Sequence, residues 1–242
     1  MLDRWNLPEP SMYRQWKLPM VEVFETVEGE GMAAGYPTIF VRVFHCNLRC
    51  TWCDTPYSYA PARPEYEASI GEIADGAHRF SSRRICFTGG EPLMHREKSA
   101  ALLVALAEPE GIEDVHIETN GAIELDPFDA LRREHPWGEK VRFIMDWKLP
   151  ASGEESRMLA DNFRCLTDRD EVKFVIGDQR DFRAAVEVVN RLHRKGRILF
   201  SPVFETLPPR KLVEWVLAEP LPQVRVSLQL HKFIWDPAER GV

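Results

Sequence analysis

The sequence predicts an α/β protein with a mostly parallel sheet, either an open doubly wound sheet or an incomplete TIM-like barrel. From about residue 37 onward, short β-branched apolar runs alternate with amphipathic segments, which is the pattern of repeated βαβ units. Most of these runs are nearly continuous, as in parallel strands that are covered on both faces. Six or seven runs can be counted, fewer than the eight strands of a closed barrel.

The individual elements follow from apolar periodicity and capping residues. The predicted strands are residues 38–44, 84–88, 115–119, 141–147, 171–176, 197–203 and 224–230. The predicted helices are one that begins at a Ser69–Glu72 capping box, residues 97–107, one between an Asp178 cap and a closing Gly196, and residues 208–218. No linker divides the chain, so residues 20–242 are predicted to be one domain, preceded by an N-terminal extension, residues 1–19.

The composition is that of an ordinary globular protein, with 44% hydrophobic and 29% charged residues. The longest strongly apolar run has eight residues, whereas a membrane-spanning helix needs roughly 17–25. Because no secretory signal is visible either, we expect a cytoplasmic protein. The net charge of −7 and the scattered basic residues argue against a nucleic-acid partner and leave a small polar substrate open.

Polar clusters follow the ends of six predicted strands. They are residues 46–55, 88–92, 118–121, 146–148, 201–204 and 229–232. In winding α/β folds, ligands bind at the carboxyl ends of the strands. We therefore expect these clusters to meet at one rim of the sheet.

Three cysteines, Cys46, Cys50 and Cys53, lie within eight residues of the first cluster. An odd total of five cysteines does not predict a disulfide framework, and three cysteines buried by chance is a poor explanation. A structural zinc ion would need a fourth ligand, for which His45 and the distant His78 are the choices. Thiolates also bind iron–sulfur clusters, where three cysteines leave one iron of a four-iron cube open. The spacing favours the cluster modestly.

The cysteine spacing, together with Gly89, Gly90 and Glu91 after the second strand, resembles the radical S-adenosylmethionine (SAM) enzymes. In that family three cysteines bind a [4Fe-4S] cluster whose open iron is chelated by SAM. Glycines allow a backbone to approach a ligand closely, and a carboxylate can accept hydrogen bonds from the cofactor's ammonium group. The family's fold is a full or partial barrel, so the resemblance implies an incomplete TIM-like barrel.

Within that family, residues 20–242 resemble the 7-carboxy-7-deazaguanine synthases of queuosine and deazapurine biosynthesis. The similarity rests on EGEG, CNLRCTWCDT, TGGEPL, ETNG, EVKFVI and the closing QLHKFIWDPAERGV. It implies that a reduced cluster cleaves SAM to a 5′-deoxyadenosyl radical, which removes hydrogen from C6 of 6-carboxy-5,6,7,8-tetrahydropterin. Rearrangement with loss of ammonia then yields 7-carboxy-7-deazaguanine. It also implies Mg²⁺ bound with the substrate, an external flavodoxin- or ferredoxin-like electron donor, and a homodimer.

The same resemblance implies the roles of individual residues. The cluster ligands are Cys46, Cys50 and Cys53, and the Mg²⁺ ligand is Thr55, whose hydroxyl suits a hard ion. The residues implied to surround SAM are Trp52, Cys53, Asp54, Gly90, Glu91, Glu118, Thr119, Asn120, Asp146, Trp147, Lys148, Ser201, Pro202, Val203 and Phe204. Those implied to bind the pterin are Val27, Glu28, Gly29, Arg42, Thr88, Gln229, His231, Lys232 and the terminal carboxylate of Val242.

The sequence departs from the family's usual residues at three places. His45 replaces a glycine before the first cysteine, Glu28 replaces a glutamine in the EGEG loop, and Asp146-Trp147 replaces Ser-Pro before the lysine. The Glu28 change bears on the pterin contacts, and the Asp146-Trp147 change bears on the SAM contacts.

Several of these residues also have plain structural explanations. Arg42 fits an outward, solvated strand position, and Thr55 fits a cap of the following turn. Glu118, His231 and Lys232 fit polar strand ends.

Cysteines and histidines outside the motifs are predicted to have no role in the chemistry. Cys86 and Cys165 fall in apolar patterns and are predicted to be small buried packing residues. The remaining histidines are placed in helical or turn segments as surface or packing residues: His78, His95, His116, His135 and His193.

Two other functions fit the cysteine motif. A glycyl-radical activase shares the spacing but would lack the EGEG loop and the QLHK end. A zinc-binding interaction module would be colourless and contain stoichiometric zinc, whereas a protein with a cluster is brown and bleached by dithionite.

Overall fold

A single nine-stranded sheet forms the frame of the protein. The computed structural model describes residues 5–237 and 239–242, so residues 1–4 of the predicted extension lie outside the described part. The strands are β1 (Lys17–Val27), β2 (Pro37–Val43), β3 (Tyr66–Ser69), β4 (Arg84–Gly89), β5 (Asp114–Thr119), β6 (Val141–Asp146), β7 (Glu171–Ile176), β8 (Arg197–Pro202) and β9 (Val224–Val226). The helices are α1 (Pro10–Tyr13), α2 (Ile70–Ala77), α3 (Glu97–Ala107), α4 (Asp126–Glu134), α5 (Gln179–Leu192), α6 (Pro209–Ala218) and α7 (His231–Ile234). Within the described ranges, no helix is long and apolar enough to cross a membrane.

The strand order is β3-β1-β2-β4-β5-β6-β7-β8-β9. From β2 to β9 every neighbouring pair is parallel, whereas β1 pairs antiparallel with both β2 and β3. Among the described strands, β3 and β9 remain at opposite edges of this order. The sheet is therefore open, and the predicted incomplete barrel is confirmed.

All seven predicted strands are present, but the count of six or seven was wrong because β1 and β3 were missed. Pro19 interrupts the apolar pattern of β1, and β3 is a four-residue edge strand whose Tyr66 and Glu67 are exposed. Strand β9 ends at Val226 rather than at residue 230. The predicted boundary between extension and domain at residue 19 falls inside β1, and Tyr13 is buried in the core.

The two helix starts that were predicted from caps are confirmed, whereas one predicted helix end is wrong. Ser69 and Glu72 form the capping box of α2, and the Asp178 carboxylate accepts a hydrogen bond from Asp181 N at the start of α5. Helix α5 ends at Leu192, four residues before Gly196. Gly196, at φ +88°, instead forms the turn into β8.

Successive side chains of the parallel strands separate the apolar core from a polar interior. In β6, Val141, Phe143 and Met145 belong to the hydrophobic core cluster, while Ile144 and Asp146 line a cavity on the other face. Neighbouring strands repeat this alternation, because side chains of a strand point to opposite faces. Charged residues within apparently apolar strands therefore face the interior of the partial barrel.

Candidate active site

A cavity of about 430 Å³ lies at the carboxyl ends of the parallel strands and collects most of the predicted site residues. The predicted residues that line it are Val27, Glu28, Gly29, Arg42, Cys46, Cys50, Trp52, Cys53, Asp54, Thr55, Thr88, Gly90, Glu118, Thr119, Asn120, Asp146, Lys148, Val203, Phe204, Gln229, His231, Lys232 and Val242. Four others, Glu91, Trp147, Ser201 and Pro202, are buried behind its wall. Trp147 packs in the core, where its ring centroid lies 5.2 Å from that of Phe163.

The three cysteines of the loop after β2 are free and partly buried, and all of them line the cavity. The sulfur of Cys46 accepts hydrogen bonds from Leu48 N at 3.4 Å and from Asn120 Nδ2 at 3.7 Å. Burial raises the pKa of Cys46, and it raises that of Cys50 to about 11. Both thiols are therefore protonated near neutral pH until a metal displaces their protons.

The surroundings of these cysteines fit an iron–sulfur cluster better than zinc. His45 and His78, the two candidate fourth ligands, do not line the cavity; the ring of His45 packs between Phe44 and His95. In the described part of the chain, the only three His, Cys, Asp or Glu ligand atoms within 4.8 Å of one another belong to other residues. A zinc ion with Zn–S bonds of about 2.3 Å would draw the sulfurs closer than that. Three separated thiols suit a larger cluster with one open iron.

Gly90 fits closely against the first cysteine. A Cβ atom at Gly90 would lie 2.4 Å from His45 O and 2.8 Å from Cys46 Cβ. His45 itself has φ +89°, a backbone conformation that favours glycine, which accounts for the glycine usual at this position. The His45 carbonyl accepts a hydrogen bond from Glu91 N at 2.8 Å, so the cysteine loop is tied to the Gly-Gly-Glu segment.

The side chain of Glu91 links two loops rather than facing the cavity. Its fully buried carboxylate accepts hydrogen bonds from Leu93 N, Thr119 Oγ1 and Asn120 N, the last at 2.7 Å. Burial raises its pKa to about 7, and these donors oppose that rise. These contacts fix the loops after β4 and β5 against each other. The Glu91 carboxylate is therefore occupied by donors from the protein.

Four charged residues form a chain along the cavity wall. Lys173 Nζ lies 2.8 Å from Glu30 Oε2 and 3.9 Å from Asp146 Oδ2, and Lys148 Nζ lies 2.9 Å from the same Asp146 oxygen. The second oxygens of Glu30 and Asp146 are buried without a hydrogen-bond partner among the described residues. They are free to accept hydrogen bonds from a ligand. Sequence reasoning missed Glu30 and Lys173, although a lysine inside the apolar EVKFVI strand was a signal.

The polar side chains of β2, β4 and β5 also face the cavity. Arg42 is paired with Glu22 across the β1–β2 ladder, with Nε 2.9 Å from Oε1, and its side chain is 13% exposed. The outward, solvated explanation of Arg42 is therefore wrong. Thr88 donates a hydrogen bond to Glu118 at 3.1 Å, so Glu118 is more than a polar strand end.

Thr55 precedes a short 3₁₀ helix, Pro56–Ser58, but its side chain makes no capping hydrogen bond. Its hydroxyl lies 3.8 Å from the sulfur of Cys53 and lines the cavity. The capping explanation is therefore wrong.

The C-terminal segment closes the opposite side. His231 and Lys232 begin α7 and are not a strand end. A Cβ atom at Gly29 would lie 2.2 Å from His231 Nδ1, so these two segments are in close contact. The guanidinium group of Arg240 lies 3.9 Å from the ring centroid of Tyr57, and Val242 reaches the cavity.

The carboxylate of Glu28 is occupied by partners within the protein. It is buried and accepts a hydrogen bond from His116 Nε2 at 2.8 Å. The placement of His116 in a helix or turn was wrong, whereas the predicted strand 115–119 is present. His116 lies in β5, fully buried and bonded also to Asp114. Cys86 and Cys165 are buried, as predicted.

The open parallel sheet and the three thiols at its carboxyl end define a protein of the radical SAM class. The family description "Radical SAM superfamily" matches residues 41–138, which include the cysteine loop, β4 and β5. The chain also shares its fold with QueE from Escherichia coli, whose crystal structure superposes with a TM-score of 0.68 at 23% identity, covering 93% of this chain and 99% of that one.

Sequence relatives identify the family within that class. A 7-carboxy-7-deazaguanine synthase of Leptospira interrogans is 35% identical, over 93% of this chain and 98% of the relative. Enzymes with the same name from Methanospirillum hungatei and Clostridium acetobutylicum are 36% and 32% identical, over 91% and 92% of this chain and 86% and 98% of the relatives. The chain belongs to the 7-carboxy-7-deazaguanine synthase family. Membership in this radical SAM family implies a [4Fe-4S] cluster and SAM as cofactors.

Proposed function

We propose that this protein converts 6-carboxy-5,6,7,8-tetrahydropterin to 7-carboxy-7-deazaguanine with loss of ammonia, a step of queuosine biosynthesis. One observation supports this more than any other. The three motif cysteines share a single cavity with two cationic side chains, those of Arg42 and Lys232. A redox cofactor and an anionic substrate would therefore lie side by side.

On this proposal Cys46, Cys50 and Cys53 hold the [4Fe-4S] cluster. The cluster and SAM together supply one-electron radical chemistry when bound. The protein contributes orientation and exclusion of water. The unpaired oxygens of Glu30 and Asp146 would accept hydrogen bonds from ligand donors, because a buried acceptor without a partner is costly.

The substrate's functional groups match the other half of the cavity. Its carboxylate suits the guanidinium of Arg42 and the ammonium of Lys232, which are charge-assisted donors. The guanidine-like edge of the pterin suits acceptors, namely the backbone oxygens of residues 27–29 and of Val242.

An anaerobic assay with reconstituted protein, dithionite, SAM and the carboxy-pterin tests the proposal. We expect 5′-deoxyadenosine, methionine and 7-carboxy-7-deazaguanine, identified by mass spectrometry. A reaction without SAM and one without the pterin are the controls. If a fully reconstituted cluster cleaves SAM but leaves the pterin unchanged, the substrate assignment fails and the activase alternative regains support.

We further propose that Mg²⁺ binds beside the substrate with Thr55 as a protein ligand. Mg²⁺ commonly uses few protein ligands and completes its coordination with substrate oxygens and water. Support comes from the Thr55 hydroxyl, which lines the cavity and makes no capping hydrogen bond.

Replacing Thr55 with Ala is expected to raise the Mg²⁺ concentration for half-maximal activity by roughly tenfold, equivalent to about 1.4 kcal/mol. The loss of one ligand oxygen is the reason. Thr55→Ser, which keeps the hydroxyl, should resemble the unsubstituted protein in the same Mg²⁺ titration. If Thr55→Ala and Thr55→Ser require the same Mg²⁺ concentration, the Thr55 hydroxyl is not a Mg²⁺ ligand.

The electron donor, the oligomeric state and the location are proposed from membership in the family. We propose an external flavodoxin- or ferredoxin-like electron donor, a homodimer and a cytoplasmic location. Sedimentation of the anaerobic protein tests the dimer, and replacement of dithionite by a reduced flavodoxin tests the donor class.

A further inference from the structure

Beneath the cavity, five buried or half-buried charged residues form a continuous chain of ion pairs. We call it the interior ion network: Glu28, Asp114, His116, Arg142 and Glu171. His116 lies between Glu28 and Asp114, with 2.8 Å to a carboxylate oxygen on each side. Arg142 then binds Asp114 through two nitrogens, at 2.7 and 3.2 Å, and pairs with Glu171.

Both ends of the network meet the same loop, residues 28–32. At one end, the Glu28 carboxylate also accepts hydrogen bonds from Gly29 N at 2.9 Å and Glu30 N at 3.2 Å. At the other end, Glu171 Oε2 accepts a hydrogen bond from Met32 N at 3.1 Å. The fit is close, since a Cβ atom at Gly31 would lie 2.5 Å from the same Glu171 oxygen, and Gly31 has φ +66°. The loop is thus held from below at its first and last residues.

The geometry of His116 requires a charged ring. A neutral imidazole has one N–H donor and one bare acceptor nitrogen, and a bare nitrogen would repel a carboxylate oxygen 2.8 Å away. Burial lowers the pKa of His116, but its contacts with Cys86, Asp114 and Glu28 outweigh burial and raise the pKa well above its usual value. Because burial raises the pKa of Cys86 to about 12, its thiol is uncharged near neutral pH, and the two carboxylates carry the negative charge beside the ring. Arg142, the cross-strand neighbour of His116 on β6, pairs with Asp114 and Glu171 instead.

We propose that the His116 imidazolium is a positioning residue that sets the substrate-binding loop, residues 28–32, at the wall of the cavity. His116 does not line the cavity itself, so it acts through Glu28. The inference rests on the proposed function, because the pterin is the ligand against which the loop is set. Loss of the imidazolium leaves the Glu28 carboxylate buried without its cationic hydrogen-bond partner, and the loop moves to hydrate it.

His116→Gln is the principal test, made on the reconstituted holoenzyme. A neutral amide cannot supply the positive charge, so we expect the KM for the carboxy-pterin to rise at least about tenfold. The cluster content and the rate of SAM cleavage without pterin should stay within about twofold, since no hydrogen bond or ion pair among the described residues joins the network to the cysteine loop. Glu28→Gln combined with His116→Gln removes anion and cation together and should restore most of the lost affinity.

Cys86→Ala separates this proposal from a metal site. Cys86 Sγ, a Glu28 oxygen and a His116 nitrogen lie within 4.8 Å of one another, a grouping that could hold a metal ion. A positioning role predicts an unchanged pterin KM for Cys86→Ala. If Cys86→Ala instead reproduces the KM of His116→Gln and removes a bound zinc ion, the proposal is overturned in favour of a metal site.

Nuclear magnetic resonance of ¹⁵N-histidine in the unsubstituted holoenzyme keeps the proposal testable if His116→Gln does not fold. We expect both His116 nitrogens to be protonated and not to titrate between about pH 6 and 9. A neutral His116 ring overturns the proposal, as does a folded His116→Gln with unchanged KM or with parallel loss of cluster and turnover. If the proposed function itself is wrong, the result is different: the unsubstituted protein does not turn over the pterin at all.

Discussion

Replacing Cys50 with Ala is expected to abolish the [4Fe-4S] cluster and all turnover while leaving a folded protein. Two thiolates cannot hold the three iron corners that the motif serves, so the cofactor is lost rather than weakened. The fold should survive because Cys50 lies in the cavity loop and is not part of the hydrophobic core. Iron content, visible absorption and 5′-deoxyadenosine formation measure the loss, and circular dichroism measures the fold.

Cys165→Ala is the matched control for this substitution. Cys165 is also a free cysteine, but it is buried in the core and does not line the cavity. That variant should stay brown and active, with stability lowered by about 1 kcal/mol for the smaller side chain. Turnover that survives in Cys50→Ala would contradict the cluster assignment.

Replacing Arg132 with Met is expected to lower the free energy of unfolding by roughly 3–5 kcal/mol. Arg132, on α4, makes two hydrogen bonds to Asp170 at 2.7 and 2.9 Å and one to the Cys165 carbonyl at 2.7 Å. The side chains of Arg132 and Asp170 are only 5% and 0% exposed. Without the guanidinium group, Asp170 and Asp129 would remain buried with much of their charge uncompensated.

Arg133→Met is the control one position along the same helix. Arg133 pairs with Asp129 as well, but its side chain is 65% exposed, so solvent screens the pair. Its loss should cost less than about 1 kcal/mol. In thermal melts of reconstituted protein, a chain of this size loses roughly 2–4 °C per kcal/mol, so Arg132→Met should lower the Tm by about 10 °C. Similar shifts for the two variants would show that burial does not matter here.

Much of the site could be predicted because its signals are local. The cysteine loop, the Gly-Gly-Glu segment and the C-terminal QLHK lie on contiguous stretches, and parallel strands bring their carboxyl ends to one edge. Of the four predicted SAM residues that do not line the cavity, two have a local explanation. Trp147 packs in the core, and Pro202 pairs with the core residue Ile176 of β7, so alternation along β8 turns Pro202 away from the cavity.

The departure at Glu28 has a tertiary explanation. A glutamine is usual there, and a buried carboxylate requires a positive partner. His116 supplies it from 88 residues further along the chain. No local pattern pairs these two residues.

The sequence by itself determined the class of fold, seven of the nine strands found in the described residues, and the loop of three thiols. Periodicity, caps and ligand spacing are properties of neighbouring residues. Only the tertiary structure decided which face each strand residue takes and which charges meet. Cys86, His116 and Arg142 stand side by side because the β4–β5 and β5–β6 registers align them. Since a shift of one residue would turn each side chain to the other face of the sheet, the ion network beneath the cavity exists only in the folded register.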